Sequence, residues 1–232
     1  MSETPIEAAL ADGRTTLTEA EAKTLLADAG VATPAFAVAS TPDEAAEAAA
    51  DIGFPVVLKV SSPAVTHKSE WMDGLGVTVG VADEAEARSV AADVLDAADE
   101  AGVDADVLVE EAADVDAGTE VIVGGLRDPS FGPVVLTGLG GVFTELFEDT
   151  AHRLAPIDEE TAREQIGELR SAPLLEGYRG SEPADVDALA GVVTAVGDLL
   201  AEHEEIVEVD VNPVLATSDG AMALDALVVI EA

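Results

Sequence analysis

Apolar positions along this chain follow two rhythms. Short valine- and alanine-rich runs at residues 35–39, 55–60, 77–81 and 107–110 read as strands. Between them, 42–52 and 84–101 carry alanine at helical spacing. Each of these helices opens on a capping residue with an acid three positions on, Thr41-Pro-Asp-Glu44 and Asp83 with Glu86, and each stops at a glycine, Gly53 and Gly102. Residues 35–110 therefore predict β-α-β-β-α-β, the split arrangement with two helices on one face of an antiparallel sheet. Ahead of it, Thr18-Glu-Ala-Glu21 is a capping box for a helix that turns Leu25 and Leu26 inward, ends near Gly30 and carries Lys23 in an ordinary helical pattern. Residues 1–16 read as a loose arm or a short helix.

The second half changes character. Residues 120–126 and 134–137 read as strands joined by Arg127-Asp-Pro-Ser-Phe-Gly132. Gly138-Leu-Gly-Gly141 reads as a glycine turn, and 143–147 as a strand or helical turn. Helices are predicted at about 158–170 and 184–202. Strands follow at 205–211 and 222–230, separated by the turn Ser218-Asp-Gly220. The pattern is that of one α+β unit over 1–232 with two lobes, 15–110 and 111–232.

Charge adds a constraint. The chain has 48 acidic and 10 basic residues, a net charge of −38, but its 48% hydrophobic content argues for a folded core beneath an acidic surface. Such a surface repels nucleic acid and anionic membrane. Near-absence of lysine in an alanine-, valine- and acid-rich chain points to a salt-loaded cytoplasm, where a Debye length of about 3 Å at molar salt screens self-repulsion. Cysteine is absent, which leaves no disulfide and no thiolate metal site. The acidic start reads without a signal peptide, and no apolar run reaches the ~18 residues of a membrane span, so the expected location is cytoplasmic.

Three lysines remain, and two of them lie close together. Lys59 sits within the strand Pro55-Val-Val-Leu-Lys-Val60, where a cation needs a partner. The partner is either an anionic ligand such as a phosphate or a surface carboxylate to which the lysine snorkels. The loop behind the strand carries His67 and Lys68. No second histidine lies at ligand spacing, so His67 reads as a nucleophile or a surface residue rather than a metal ligand; His152 and His203 have no chemical company. Gly138-Leu-Gly-Gly141 is either a phosphate cradle or a plain tight turn. Asp210 and Asn212 share one face of a strand, and a hairpin through Asp219-Gly220 would bring Asp225 beside Asn212. One carboxylate and one amide oxygen suit magnesium, which takes few protein ligands; the alternative is a solvated turn in an acidic protein.

Taken in order, Pro55-Val-Val-Leu-Lys59, His67-Lys-Ser69, Gly132-Pro-Val-Val-Leu-Thr-Gly-Leu-Gly-Gly-Val-Phe143, Asp149, Arg153-Leu-Ala-Pro156, Asp210-Val-Asn-Pro213 and Leu224-Asp-Ala226 resemble the β subunit of ADP-forming acetate–CoA ligase, an ATP-grasp protein related to the β subunit of succinate–CoA ligase. The resemblance is collinear over about residues 15–230. It implies an α+β ATP-grasp fold whose two lobes clasp a nucleotide. It also implies an enzyme that interconverts acyl-CoA, ADP and phosphate with carboxylic acid, ATP and CoA through a phosphohistidine relay. By the same resemblance Lys59 meets the nucleotide phosphates, Glu110 and Glu111 the adenine edge, and Glu120 the phosphates or ribose; Lys68, Gly140 and Gly141 are further nucleotide-binding candidates. Asn212 and Asp225 hold Mg2+, and His67 is a phosphorylated histidine with Asp210 beside it. CoA and the acyl group then belong to a CoA-binding α subunit, in an α2β2 heterotetramer. One departure stands out: where the family reads His-Lys-(Ser/Thr)-Asp followed closely by Gly-Gly, this chain has the longer Ser69-Glu-Trp-Met-Asp-Gly-Leu-Gly76. Other readings are a succinate–CoA ligase or another ATP-grasp carboxylate ligase, and a non-catalytic nucleotide-binding regulatory subunit, which would need neither His67 nor Asp210.

Overall fold

A computed structural model describes residues 4–65, 68–140, 149–178 and 182–231. The chain divides into two compact units, Pro34–Ala113, and Met1–Thr33 together with Asp114–Ala232.

The larger unit opens with two helices, α1 (Pro5–Ala11) and α2 (Glu19–Asp28). Residues 4–11 are thus a capped helix rather than a loose arm: Thr4 and Glu7 exchange bonds with each other's backbone, as Thr18 and Glu21 do for α2. Residues 15–33, grouped by sequence order with the first lobe, join the last strands of the chain instead. The Leu17 amide donates to the Val228 carbonyl, the Ile230 amide to Thr15 and the Ala223 amide to Ala32.

The smaller unit runs β1 (Phe36–Ala39), α3 (Pro42–Ile52), β2 (Val56–Ser61), β3 (Val77–Val81), α4 (Glu84–Ala101) and β4 (Asp106–Glu111), the predicted order. Its sheet is antiparallel with strand order β1-β4-β2-β3. Both helices start where their caps predict. In α3 and α4 the acid at the third position reaches one residue further back than in a strict capping box, to the amides of Ser40 and Ala82. Alternation on β2 sends Val56, Leu58 and Val60 into a core with Val107, Val109, Ala45, Ala49, Ala87, Ala91 and Val94. Val57 and Lys59 therefore occupy the opposite face.

In the larger unit the chain continues through β5 (Thr119–Asp128), β6 (Gly132–Leu139), β7 (Thr150–Leu154), α5 (Glu159–Gly167), α6 (Ala172–Leu175), α7 (Val186–Glu202), β8 (Ile206–Thr217), β9 (Gly220–Ala223) and β10 (Ala226–Ile230). These strands form an antiparallel sheet ordered β10-β8-β5-β6-β7, with β9 paired to β8. The apolar stripe of α7, including Leu189, Val193, Val196 and Leu200, packs with Val121, Val123, Val135, Val209, Val211 and Val214, and Leu25 and Leu26 of α2 join the same core.

Three predicted elements differ. The single strand expected at 222–230 is two, β9 and β10, with Leu224 and Asp225 between them. Gly138 and Leu139 are not part of a turn; they end β6, with Gly138 paired between Ile122 and Thr150. The strand expected at 205–211 runs on to Thr217, because Asn212-Pro213 lies at a register shift inside it rather than at its end. Proline lacks an amide N–H and is tolerated within a sheet at such an irregularity, and the shift lets Val211 and Val214 both face the core. The expected element at 143–147 lies outside the described residues. Among the described residues no helix is long and apolar enough to cross a membrane.

Candidate nucleotide and metal site

In the smaller unit the candidate centre is Lys59. In register it faces Leu108 while Val57 faces Glu110, so Lys59 and Glu110 are diagonal neighbours on the face away from the helices. Lys59 Nζ lies 3.3 Å from Glu110 Oε2, and both residues are buried, at 7% and 3% exposure. This carboxylate partner is as buried as the lysine rather than at the surface. Glu111, one residue on, is exposed, and its amide donates to the Ala35 carbonyl.

His67 lies outside the described residues. Lys68, beside it, is half-buried, and its carbonyl accepts from the Trp71 amide. The lengthened loop continues as a 3-10 turn, Trp71–Gly74, with Met72 and Asp73 left-handed at φ 48° and 58°. Trp71 packs against the helix-covered core. A Cβ at Gly76 would stand 2.1 Å from the Lys68 carbonyl oxygen, so this glycine is required by the close return of the loop onto its own start.

In the larger unit the core-facing alternation leaves Glu120, Ile122 and Gly124 of β5 and Glu208, Asp210 and Asn212 of β8 on the face away from α7. Gly140 follows β6 directly. Its amide donates to the Glu120 carbonyl at 2.7 Å, and a Cβ there would meet Glu120 backbone and side chain at 3.0 Å, so Glu120 and Gly140 are brought together. Gly141 lies outside the described residues.

The hairpin of β8 and β9 turns at residues 218–219 and returns the chain to Asn212. The Leu224 amide donates to the Pro213 carbonyl at 2.9 Å, and the Asn212 amide to the Asp225 carbonyl at 3.2 Å. Asn212 and Asp225 are thus side by side, as their spacing about the turn predicts. Asp210 stands diagonal to Asp225 across β8 and β10. Burial, then the carboxylates of Glu208 and Asp225, hold the Asp210 carboxyl above its ordinary pKa. Like charges converging on one strand face favour a bound cation. Among the described residues no three histidine, cysteine or carboxylate side chains form a metal-holding group. A donor set of one carboxylate and one amide, with the other acids nearby, fits a hard cation that keeps most of its ligands as water or phosphate oxygen. Magnesium meets that description.

Three residues had no role assigned to them from sequence. Glu208 flanks Asp210. Asp149, which follows the glycine-rich stretch, is buried and accepts from the Arg170 amide and from both the amide and hydroxyl of Ser171. Burial works to raise its pKa, but those donors outweigh it and hold the carboxyl below its ordinary value. Lys23 is the third. Its side chain has 0% exposure, and its Nζ lies 2.8 Å from Glu19 Oε1 and 2.8 Å from the Leu224 carbonyl oxygen. The available signal was the helical stripe Glu19–Lys23–Leu26 in a chain with only three lysines.

The family model described as "ATP-grasp domain" matches residues 8–230. The β subunit of ADP-forming acetate–CoA ligase I from Pyrococcus furiosus is 41% identical over 228 residues, which cover 97% of this chain and 96% of that protein. The chain belongs to the ATP-grasp family of ADP-forming acetate–CoA ligase β subunits. Solved structures agree with this ATP-grasp assignment. An acetyl-coenzyme A synthetase 1 from Ca. Korarchaeum cryptofilum, in complex with coenzyme A and Ca-AMPCP, superposes with a TM-score of 0.90 at 39% identity, covering 97% of each chain. The same synthetase with coenzyme A and Mg-AMPPCP, its phosphohistidine segment pointing towards the nucleotide-binding site, gives a TM-score of 0.84 at 37% identity with both chains fully covered.

Proposed function

We propose that this chain is the nucleotide-binding β subunit of an ADP-forming acyl-CoA synthetase, catalysing acyl-CoA + ADP + phosphate ⇌ carboxylic acid + ATP + CoA. The observation that carries the reading is the 41% identity to an acetate–CoA ligase β subunit over nearly the full length of both chains.

In the proposed reaction phosphate displaces CoA from the thioester on a CoA-binding α subunit. A histidine there takes the phosphoryl group and releases the carboxylate, and the phosphoryl group then passes by way of this chain to the β-phosphate of ADP. His67 receives it, and Asp210 is the carboxylate serving that step; burial and then the carboxylates of Glu208 and Asp225 hold its pKa above the ordinary value. Lys59 and Lys68 meet the nucleotide phosphates, Glu110 and Glu111 the adenine edge, and Glu120, Gly140 and Gly141 the phosphates or ribose. Phosphoryl transfer depends chiefly on positioning and charge neutralisation. Burial of Lys59 against Glu110 holds the ammonium in one place. Asn212 and Asp225 hold Mg2+, which when bound neutralises charge on the phosphate oxygens.

Residues 15–110 and 111–232 are read as the two lobes of the grasp, except that 15–33 pack with the second. The proposed assembly is an α2β2 heterotetramer; its proposed setting, a salt-loaded cytoplasm, is supported by the charge of −38 and the scarcity of lysine. The test is reconstitution: the chain mixed with its cognate α subunit, acetyl-CoA, ADP, phosphate and Mg2+ is expected to make ATP only when both chains are present. ATP formation by the α subunit alone, or none by the pair, contradicts the proposal.

A further inference from the structure

Lys23 is the most deeply buried cation described in the larger unit, and the catalytic reading assigns it nothing. It sits on α2, whose rotation is fixed by the Thr18–Glu21 capping box and by the Leu17 amide bonding to β10 at the helix entry. Glu19, one turn back, is buried with it, and the two side chains meet at 2.8 Å. The Lys23 ammonium also donates to the carbonyl of Leu224, more than two hundred residues on in sequence.

That carbonyl begins the peptide that leads into Asp225. The same short segment is tied at three further points: Leu224 amide to Pro213 carbonyl, Asn212 amide to Asp225 carbonyl, and Ala226 amide to Asp225 Oδ1 at 2.8 Å. The bonds to Pro213 and Asn212 join the segment to β8, and the Ala226 bond orients the carboxylate. The Lys23 bond reaches across to α2, and it is charge-assisted, hence stronger than a neutral amide bond. A buried ion pair is weak evidence of a stabilising role, because an apolar pair of similar volume often serves stability as well. What an apolar pair cannot do is hold a carbonyl.

We propose that Lys23, oriented by Glu19, is a positioning residue for the magnesium-holding pair Asn212 and Asp225, fixing the Leu224–Asp225 peptide so that the Asp225 carboxylate is presented beside the Asn212 amide. The inference rests on the magnesium reading above. Groups one step outside a metal's ligands commonly change its affinity 10- to 100-fold when removed.

The test uses the full chain with ADP and Mn2+ as the probe, bound metal being read by electron paramagnetic resonance. Glu19→Leu with Lys23→Met replaces the pair by apolar side chains; Glu19→Gln with Lys23→Gln is the second variant and keeps a neutral hydrogen-bonding pair with a shorter reach. Each is expected to melt cooperatively and to bind ADP without metal as wild type does. Each should need about 10-fold more Mn2+ to half-saturate the ADP complex. An unchanged Mn2+ requirement in a folded variant overturns the inference, as does failure of both pairs to fold, which would assign the pair to stability alone. Asp225→Asn is the separate control. If it leaves the Mn2+ requirement unchanged, the magnesium reading itself fails; if it raises the requirement while the paired variants do not, only the role of Lys23 fails.

Discussion

Lys59 Nζ stands 3.3 Å from Glu110 Oε2, two buried charges on adjacent strands of one sheet face. Removing one takes an opposite charge from the other at a buried position, so Lys59→Ala is expected to cost stability, by up to about 3–5 kcal/mol, in addition to any effect on ligand. Lys59→Met with Glu110→Gln removes both charges together. This double variant should melt close to wild type yet bind ADP more weakly by about 1.5–3 kcal/mol, the usual worth of a charge-assisted bond. Calorimetry decides it: equal ADP affinity would take Lys59 out of the nucleotide site.

Two carboxylates of the larger unit should respond to pH in opposite directions. Asp210 has a raised folded pKa, so its ionised form opposes folding; its contribution is fully present below the unfolded value near 3.8 and is lost as pH rises through the folded pKa. Asp210→Asn should therefore raise the melting temperature at pH 7, and the gain should vanish in acid. Asp149 has a lowered folded pKa, so its contribution is present above the unfolded value and lost as pH falls through the folded one. Asp149→Asn should lower the melting temperature at pH 7 and converge on wild type in acid. Melting curves from pH 3 to 8 on both variants check the signs.

Two glycines should give opposite results with the same substitution. A methyl at Gly76 meets the Lys68 carbonyl oxygen at 2.1 Å, a backbone atom that moves only with the loop. Gly76→Ala should cost about 1–3 kcal/mol, the usual penalty of overpacking. Gly191, within α7, has nothing within 4 Å of its added Cβ, so Gly191→Ala should stabilise by about 0.5–1 kcal/mol through helix propensity. Chemical denaturation of the two variants measures both.

Folding should depend on salt. With a net charge of −38, dilution from molar salt to 0.1 M lengthens the Debye length from about 3 Å to about 10 Å and exposes self-repulsion. The melting temperature should fall steeply below molar salt, and a flat profile from 0.1 to 3 M would contradict the salt-loaded habitat.

What could be read from sequence was what local chemistry determines. The caps at Thr18, Thr41 and Asp83 bond to amides three residues away, so the helix starts were legible. The return of Asp225 to Asn212 was legible because a hairpin constrains residues equidistant from its turn. What distant pairing decides was not legible. Asn212-Pro213 resembles a strand end until β5 is laid beside it and the register shift accommodates the proline. Gly138 resembles a turn residue, yet it sits in β6, where its neighbour is the Asp149 carbonyl. The partner of Lys59 is carried by a strand about fifty residues on. Lys23 looks like any helical lysine until α2 docks beside Leu224 and removes it from water.

In the proposed relay a phosphoryl group travels through His67 on its way to ADP. The direct measurement combines wild type or His67→Ala with the cognate α subunit, acetyl-CoA and radiolabelled phosphate, without ADP, and then follows the label on each chain and into ATP after ADP is added. Wild type should carry an acid-labile, base-stable label on this chain that ADP discharges as ATP. His67→Ala should still bind ADP, stay unlabelled and make no ATP while the α subunit remains phosphorylated. ATP synthesis by His67→Ala at the wild-type rate would contradict the relay and leave the chain as a grasp domain that delivers phosphate to ADP straight from its partner.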